Sequence, residues 1–506
     1  MVTRISAQLA TQPTRKRTRK TSAPAAADQG PRPRAQRLLG PAGERMSKVD
    51  TAWLRMDSPV NLMMILGFWT LKPGIGYEAL CARVRERLLK YGRFRQRVEQ
   101  DATGASWIED TAFDIHRHVV RESLSRRGGA HTQLQQRLAE LAVQPLDHRH
   151  PLWQFHFIEH FDGGSALIIR IHHCIADGIA LIAVALSLAD GGQAPPTAAR
   201  RAAEHDGFGG ALLRPLTDLA HKALEVAGGG AARSLSLLLD ADRRVETPKE
   251  WARLGYQVTS DAASLLLMPD DSKTRLKGQA GTVKRVAWCE PLPIHEVKAL
   301  SKALQCSIND VLLSCVAGAI GAYLRDTGDE VTGQEIRVMI PVNLRPLEQA
   351  HQLGNRFGLV PLLLPVGIAN PIERVYEVRR RMNALKGSTQ PVLAFAVLAV
   401  AGLLLKGGQD ALLNMFSRKT TGIMTNVPGP RDKFSLLDAT VDQCMFWVPQ
   451  SGDVGLGISV LSYGGGVQFG VISDAVMCPE PQKIIDGFEP EFAKLSLVTL
   501  MLPWDE

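Results

Sequence analysis

The chain has 506 residues, 45% of them hydrophobic and 22% charged, which is long for one ordinary domain and apolar enough to bury sizeable cores. Its formal charge of +8 is local, because residues 1–45 hold ten Lys/Arg against two acids and the remainder carries equal numbers of each sign. Nucleic-acid binding by the main body therefore has no electrostatic basis.

Residues 1–45, rich in Pro, Ala, Ser and Thr, read as a disordered basic tail. Its cluster Arg15, Lys16, Arg17, Arg19 and Lys20 is either a solvated extension or a feature drawn to anionic membrane. The absence of acids from residues 1–27 would also suit a transit peptide. Seven cysteines without a CxxC pair form neither a disulfide framework nor a zinc site, so no metal is expected and a reducing, cytoplasmic compartment fits.

From Met46 the pattern turns globular. WTLKPGIGYEALCARVRERLLKYG gives a strand ending near Lys72, a Pro-Gly turn and a helix. In residues 153–161, Trp153, Phe155, Phe157 and Phe161 alternate with polar residues as in a half-buried strand, and Asp162, Gly163 and Gly164 turn it into a second strand, ALIIRIHH. GIALIAVALSLAD is then a buried helix.

Residues 196–280 read as a helical connector. Alternation resumes in VKRVAW, passes through LPIHEVKALSKALQ, SINDVLLSCVAGAIGAYL and IRVMIPVNLRP, and closes with strand, Gly turn and strand in GLGISVLSY to VQFGVISD. The expected division is an N-terminal domain at 46–195 and a C-terminal domain at 281–506. PVLAFAVLAVAGLLL, residues 391–405, falls short of the roughly 20 residues that a spanning helix needs; it is a buried helix or a segment lying in a lipid surface.

The chemistry concentrates in HHCIADG, where an apolar strand ends on two histidines. Alternation puts His173 on the face of Leu167, Ile169 and Ile171, and His172 on that of Arg170. His173 is thus the candidate base in an apolar cavity, its unperturbed pKa near 6.5 leaving a lone pair free near neutrality, while His172 orients its neighbour or satisfies backbone groups. Chance would produce HHxxxDG in a chain this long on the order of once in a thousand sequences. Asp177, just before an apolar helix, reads as its N-cap or as half of a salt bridge shaping the loop, with a direct proton-relay role as the alternative.

HHCIADG resembles the HHxxxDG signature of acyltransferases that use CoA or carrier proteins, and the whole is most similar to bacterial wax ester synthase/acyl-CoA:diacylglycerol acyltransferases. Further matches are MSKVDTAWLRMDSP, PLDHRHPLW, SIND, IPVNLRP, LGNRFG and TNVPGP. Members begin near Met46, so the tail stands outside the resemblance, and a start assigned upstream stays an open alternative. After MDSP the chain reads VNLMMI where many relatives carry a Met-His segment, which leaves acyl and alcohol preference open.

The resemblance implies an α/β, two-domain architecture like that of chloramphenicol acetyltransferase, mixed sheets flanked by helices, with an active-site channel between the domains. It implies transfer of a long-chain acyl group from acyl-CoA to a diacylglycerol or long-chain alcohol, with acyl-CoA as substrate and no cofactor, at a membrane or lipid droplet touched peripherally. It assigns oxyanion stabilisation to Asn309, which read alone is equally a helix N-cap. It pairs Arg345 with Asp177, beside Gly178, across the domains; an exposed phosphate-binding Arg is the alternative.

Gly354, Asn355, Asn426, Pro428 and Gly429 read as turn residues, with Asn355 and Asn426 also candidate substrate contacts. Trp153 is a core aromatic or a substrate contact. With no GxSxG elbow, and with Cys174 expected on the opposite face from His173, direct transfer is favoured over an acyl-enzyme. The rival functions are a condensation-type enzyme working on a carrier protein and a non-catalytic lipid-surface protein.

Overall fold

The protein's structure, a computed structural model, describes residues 43–101, 104–124, 128–192, 267–345, 352–385, 390–401 and 406–502. The basic tail up to residue 42 and nearly all of the expected connector lie outside them.

Strands are numbered in chain order. One six-stranded sheet runs β13 (Ser435–Leu436), β14 (Ala439–Trp447), β2 (Met64–Lys72), β7 (Gly164–His172), β6 (Trp153–Phe161), β5 (Val119–Glu122). The β6–β7 hairpin is antiparallel as its alternation predicts, turning at Asp162 and Gly163, both at positive φ. β5 joins β6 in parallel, so the sheet is mixed.

The second sheet runs β11 (Phe357–Leu364), β10 (Ile336–Asn343), β12 (Gly422–Pro428), β15 (Leu456–Tyr463), β16 (Gly466–Asp474), β8 (Lys284–Trp288), with β9 (Leu292–Pro293) also on β16. β12 lies parallel to both neighbours, whereas β15 and β16 form the expected hairpin. A small sheet of β1 (Glu44–Arg45), β4 (Gly104–Glu109) and β3 (Gln96–Asp101) completes the strands.

Two apolar cores follow. One fills the first sheet with Phe68, Trp153, Phe155, Phe157 and Trp447; the other surrounds helix Ile308–Asp326 with Val338, Ile458, Phe469 and Phe488. That helix is, among the described residues, the one long and apolar enough to cross a bilayer, yet 78% of its apolar window is buried in the second core.

Sheet membership does not follow the chain division at 195 and 281. β14 belongs to the C-terminal stretch but pairs with β2 from Leu66↔Trp447 to Lys72↔Thr440. Helix Gln390–Ala401, most of the apolar stretch at 391–405, packs on β11 and on helix Lys48–Arg55, with Pro391, Leu398 and Ala401 buried. Gly358 of β11 permits this approach, because a Cβ there would fall 1.8 Å from Pro391 O.

Candidate active site

β7 ends at His172, and the chain then turns through 173–176 into helix Gly178–Leu188. One contact fixes the turn from behind: Ala176 bridges Gly354, with Gly354 N donating to Ile175 O at 3.1 Å and Asp177 N to Gly354 O at 3.3 Å. Gly354 sits at φ +107°, the left-handed backbone that its glycine was expected to supply.

Asp177 serves two ends at once. Oδ1 accepts from Ala180 N at 3.0 Å and caps the helix, while Oδ2 accepts from Arg345 Nη2 at 2.6 Å and Arg356 N at 3.0 Å. The cap and the salt bridge, read from sequence as alternatives, are two oxygens of one carboxylate. Arg345 is 3% exposed, so it is no surface phosphate clamp; it donates also to the carbonyls of Gln352 and Gly354, tying the two loops together.

His173 is 3% exposed, and its ring lies parallel to that of Trp53, centroids 4.4 Å apart, with Phe357 at 5.4 Å. His173 Nδ1 is 2.8 Å from Asn355 Oδ1. The Asn355 amide cannot be turned over, because its Nδ2 donates to Asp50 Oδ1 and to His173 O, each at 2.7 Å, and both are acceptors. The network therefore assigns the His173 proton to Nδ1 and leaves the lone pair on Nε2. Asp50, 1% exposed, also accepts from Asn355 N at 3.0 Å and lies 3.3 Å from Arg93 Nη1.

Electrostatics agree with a neutral ring. Burial pulls the His173 pKa down to about 4, against weaker pulls from Asp177 and Asn355. Burial pushes the Asp50 carboxyl up, opposed by Arg93 and Asn355. It also drives the Cys174 thiol far above its ordinary value, and that side chain is fully buried, away from the cavity. Cys174 is thus no exposed nucleophile.

The cavity beside His173 has about 260 Å³ and is walled by Trp53, Phe357, Leu359, Ile423, Val427 and Phe446, with Asp177, Gly178, Asn309, Asn343 and Asn426 as its polar edge. Asn426 Nδ2 donates to Asn309 Oδ1 at 2.9 Å. The two amides thus meet at the polar edge of the cavity, which both residues line. The N-cap of helix Ile308–Asp326 is Ser307, in a capping box with Asp310, so Asn309 lies one residue inside the helix and does not cap it. Asn426 and Pro428 lie in strand β12 and form no turn, whereas Gly429 lets the chain approach Ser462 O, 2.6 Å from where a Cβ would stand.

Four candidates fall outside the cavity. Arg345 and Asn355 stand behind Asp177 and the His173 ring, so Asn355 orients that ring and does not line the site as a substrate contact would. His172 and Trp153 lie elsewhere. His172 accepts from Cys174 N at Nδ1 and lies 3.3 Å from Asp57 Oδ2 at Nε2, so it supports the turn, one of the two roles foreseen for it, and does not line the site. Burial alone would raise the Asp57 carboxyl, but His148, His172 and the Met63 amide hold it well below the usual range. Trp153 is a core aromatic, stacked on His118 at 4.6 Å and donating to Phe94 O at 2.9 Å; position 153 starts an inner strand, which takes its ring into the core.

Asp50, Trp53 and Arg93 were not anticipated. Asp50 and Trp53, three residues apart on helix Lys48–Arg55, face the same side, toward His173 and Asn355. Their only signal in the sequence was that Asp50 and Trp53 fall within the matching segment MSKVDTAWLRMDSP.

A neutral, oriented histidine and an amide donor around one apolar cavity, behind a turn held by an Asp–Arg pair, define an HHxxxDG acyltransferase. The model of the wax ester synthase/diacylglycerol acyltransferase catalytic domain matches residues 46–312, and that of the family's C-terminal domain matches 353–496. The chain belongs to this family and is an acyltransferase.

Among its relatives, a probable diacylglycerol O-acyltransferase of Mycobacterium tuberculosis is 26% identical over 435 residues, 84% of this chain and 89% of that protein. One from Mycobacterium bovis, named a putative diacylglycerol O-acyltransferase, is 29% identical, covering 73% and 75%. The wax ester synthase/diacylglycerol acyltransferase from Marinobacter aquaeolei VT8 has a similar structure, with a TM-score of 0.62 at 18% identity over 90% of this chain and 99% of that one. The first condensation domain of the CDA synthetase has a TM-score of 0.54 at 14% identity, covering 90% and 96%. The fold is thus the mixed α/β architecture of these acyltransferases.

Proposed function

We propose that the protein transfers a long-chain acyl group from acyl-CoA to the hydroxyl of a diacylglycerol or long-chain alcohol, giving triacylglycerol or wax ester. The observation that carries this is the His173 tautomer, a neutral ring whose Nε2 lone pair belongs to a mostly apolar cavity. His173 Nε2 takes the hydroxyl proton as the oxygen bonds to the thioester carbonyl carbon. Asn309 Nδ2 donates to the oxyanion. When the C–S bond breaks, the proton on Nε2 passes to the departing thiolate, so CoA leaves as thiol and the base is regenerated. A base of this kind contributes about 10²- to 10⁴-fold.

Acyl-CoA enters as substrate, and no resident cofactor or metal takes part. The substrates partition into lipid, so the enzyme works in the cytoplasm in peripheral contact with a membrane or lipid inclusion. In support, Leu497, Leu500 and Met501, at the end of helix Phe488–Leu500, are 62%, 77% and 76% exposed.

The test is incubation of purified protein with palmitoyl-CoA and either dipalmitoylglycerol or hexadecanol, following thiol release and the lipid product. Stoichiometric ester and thiol are expected. No ester from either acceptor would sink the reading, and product formed solely from a carrier-bound acyl group would favour the condensation-type alternative.

A further inference from the structure

The proton that His173 accepts has to sit, for the life of the tetrahedral intermediate, on a ring that is 3% exposed. Burial disfavours an imidazolium, and the common remedy is a carboxylate bonded to the other ring nitrogen. Here an amide stands in that position. Among the described residues, the one side chain hydrogen-bonded to the His173 ring is Asn355, through Oδ1 at Nδ1.

The charged groups around the ring do not make up the difference. Asp50 reaches it only through Asn355 and lies 3.3 Å from Arg93 Nη1, and Asp177 is bonded to Arg345. His172, next in the chain, would oppose a positive charge on its neighbour. The helix and strand packed against the ring present aromatic faces, Trp53 from helix Lys48–Arg55 and Phe357 from β11.

Trp53 covers the ring most closely. The centroids are 4.4 Å apart and the planes 16° from parallel, so the imidazole lies against the indole face. Two neutral rings stacked this way set like charge densities face to face. A positive ring within about 6 Å of an indole centroid is instead attracted by that density, most strongly where water is excluded. The contact is thus stronger after proton transfer than before it, which is the condition for accelerating the step. Trp53 itself is held by packing: it is 4% exposed, Phe357 tilts against it at 5.6 Å, and its Nε1 has no hydrogen-bond partner among the described residues.

From this geometry we infer that Trp53 is a positioning residue whose indole face stabilises the His173 imidazolium formed as the hydroxyl attacks the thioester, in place of a directly bonded carboxylate. The inference rests on the acyl-transfer reading. It assigns two supports of the base to one helix, with Asp50 acting through Asn355 on the tautomer and Trp53 acting on the charge. Loss of the π face should lower kcat about 5- to 30-fold and leave KM for acyl-CoA nearly unchanged.

The test changes the electrons of the indole and little else. Tryptophan carrying one, two or three fluorines on its benzo ring is placed at position 53 by nonsense suppression, because fluorine drains the π face while barely altering its shape. With palmitoyl-CoA and hexadecanol, kcat should fall about twofold to threefold with each fluorine at constant KM. Trp53→Phe, which removes no hydrogen bond, should fall between the wild type and Trp53→Leu. A kcat indifferent to fluorine, with Trp53→Leu still impaired, would show packing alone and overturn the inference. So would a rise in KM with kcat intact, which would make Trp53 a substrate contact.

A second measurement needs no acyl transfer. Hexadecyl bromoacetate alkylates a histidine when the ring nitrogen bonds to the carbon bearing bromine and bromide leaves, so a positive charge stays on the ring. The rate of this reaction at His173, followed by peptide mass spectrometry, should decline with fluorine in step with kcat. An alkylation rate that ignores fluorine overturns the inference. If the wild type makes no ester while alkylation keeps its fluorine dependence, the proposed reaction falls and the role of Trp53 stands.

Discussion

Asn355 Oδ1 stands 2.8 Å from His173 Nδ1 although 182 residues separate them in the chain, and the Asp50 carboxylate behind Asn355 decides which end of the amide faces the ring. The catalytic tautomer is thus set by a residue that never touches the cavity's content. Asn355→Ala should lower kcat about 10- to 100-fold with little change in KM, because an unanchored ring still permits binding. Asp50→Asn should act in the same direction. A KM effect with kcat intact would place Asn355 in substrate binding.

His173→Ala should lower kcat/KM at least about 10²-fold in a protein that keeps its far-ultraviolet circular dichroism, and His172→Ala should lower it less, since His172 supports the turn. Equal, small losses at both would remove His173 from the role of base.

Rapid mixing with acyl-CoA in the absence of acceptor should release no stoichiometric burst of CoA, because the Cys174 thiol is buried and held protonated. A burst that Cys174→Ala abolishes would establish an acyl-enzyme.

With its pKa at about 4, His173 is already a free base throughout the neutral range. The kcat/KM of the wild type should therefore be flat from about pH 5.5 to about 8, and an inflection near 6.5 would contradict the buried, neutral ring. Stability runs the other way on acidification. The unfolded ring takes up a proton as pH falls through about 6.5 while the folded ring resists until about 4, so stability is full above 6.5 and is lost toward 4. His118, also pulled down to about 4 by burial, adds to the same loss. Urea midpoints measured across that window would show it.

The Asp177–Arg345 pair is buried at both ends. Arg345→Met should cost about 3–5 kcal/mol, measured by urea unfolding, since it leaves the Asp177 carboxylate without its cation. Adding Asp177→Asn should recover part of that loss, because the amide keeps an acceptor for Ala180 N and carries no charge.

The strand hairpins and the HHCIADG turn were legible because period-2 alternation and glycine punctuation are local signals. Asp50 was not. In sequence it is an ordinary acidic residue in the first turn of a helix, and its burial depends on Asn355 and Arg93, which come from distant parts of the chain. Asn309 and Ser307 are both good caps two residues apart, and only the reciprocal bond from Asp310 decides between them. Asn426 was misread because Pro428 and Gly429 advertise a turn, whereas parallel pairing with β15 carries the strand through to Pro428. The place of β14 beside β2 has no local signature at all.

That pairing has a consequence for the order in which the protein is made. The β2 strand leaves the ribosome with one edge unpaired, and its partner is synthesised some 370 residues later, as the bond from Gln443 N to Thr70 Oγ1 measures. At about 5–20 residues per second the gap lasts roughly 20–75 seconds. Throughout it, β2 offers unpaired backbone groups and an apolar face, which is the condition for edge-to-edge association. The nascent chain should therefore be most prone to aggregation after His173 is in place and before β14 arrives, and the catalytic loop is finished only when Asn355 emerges within that same interval.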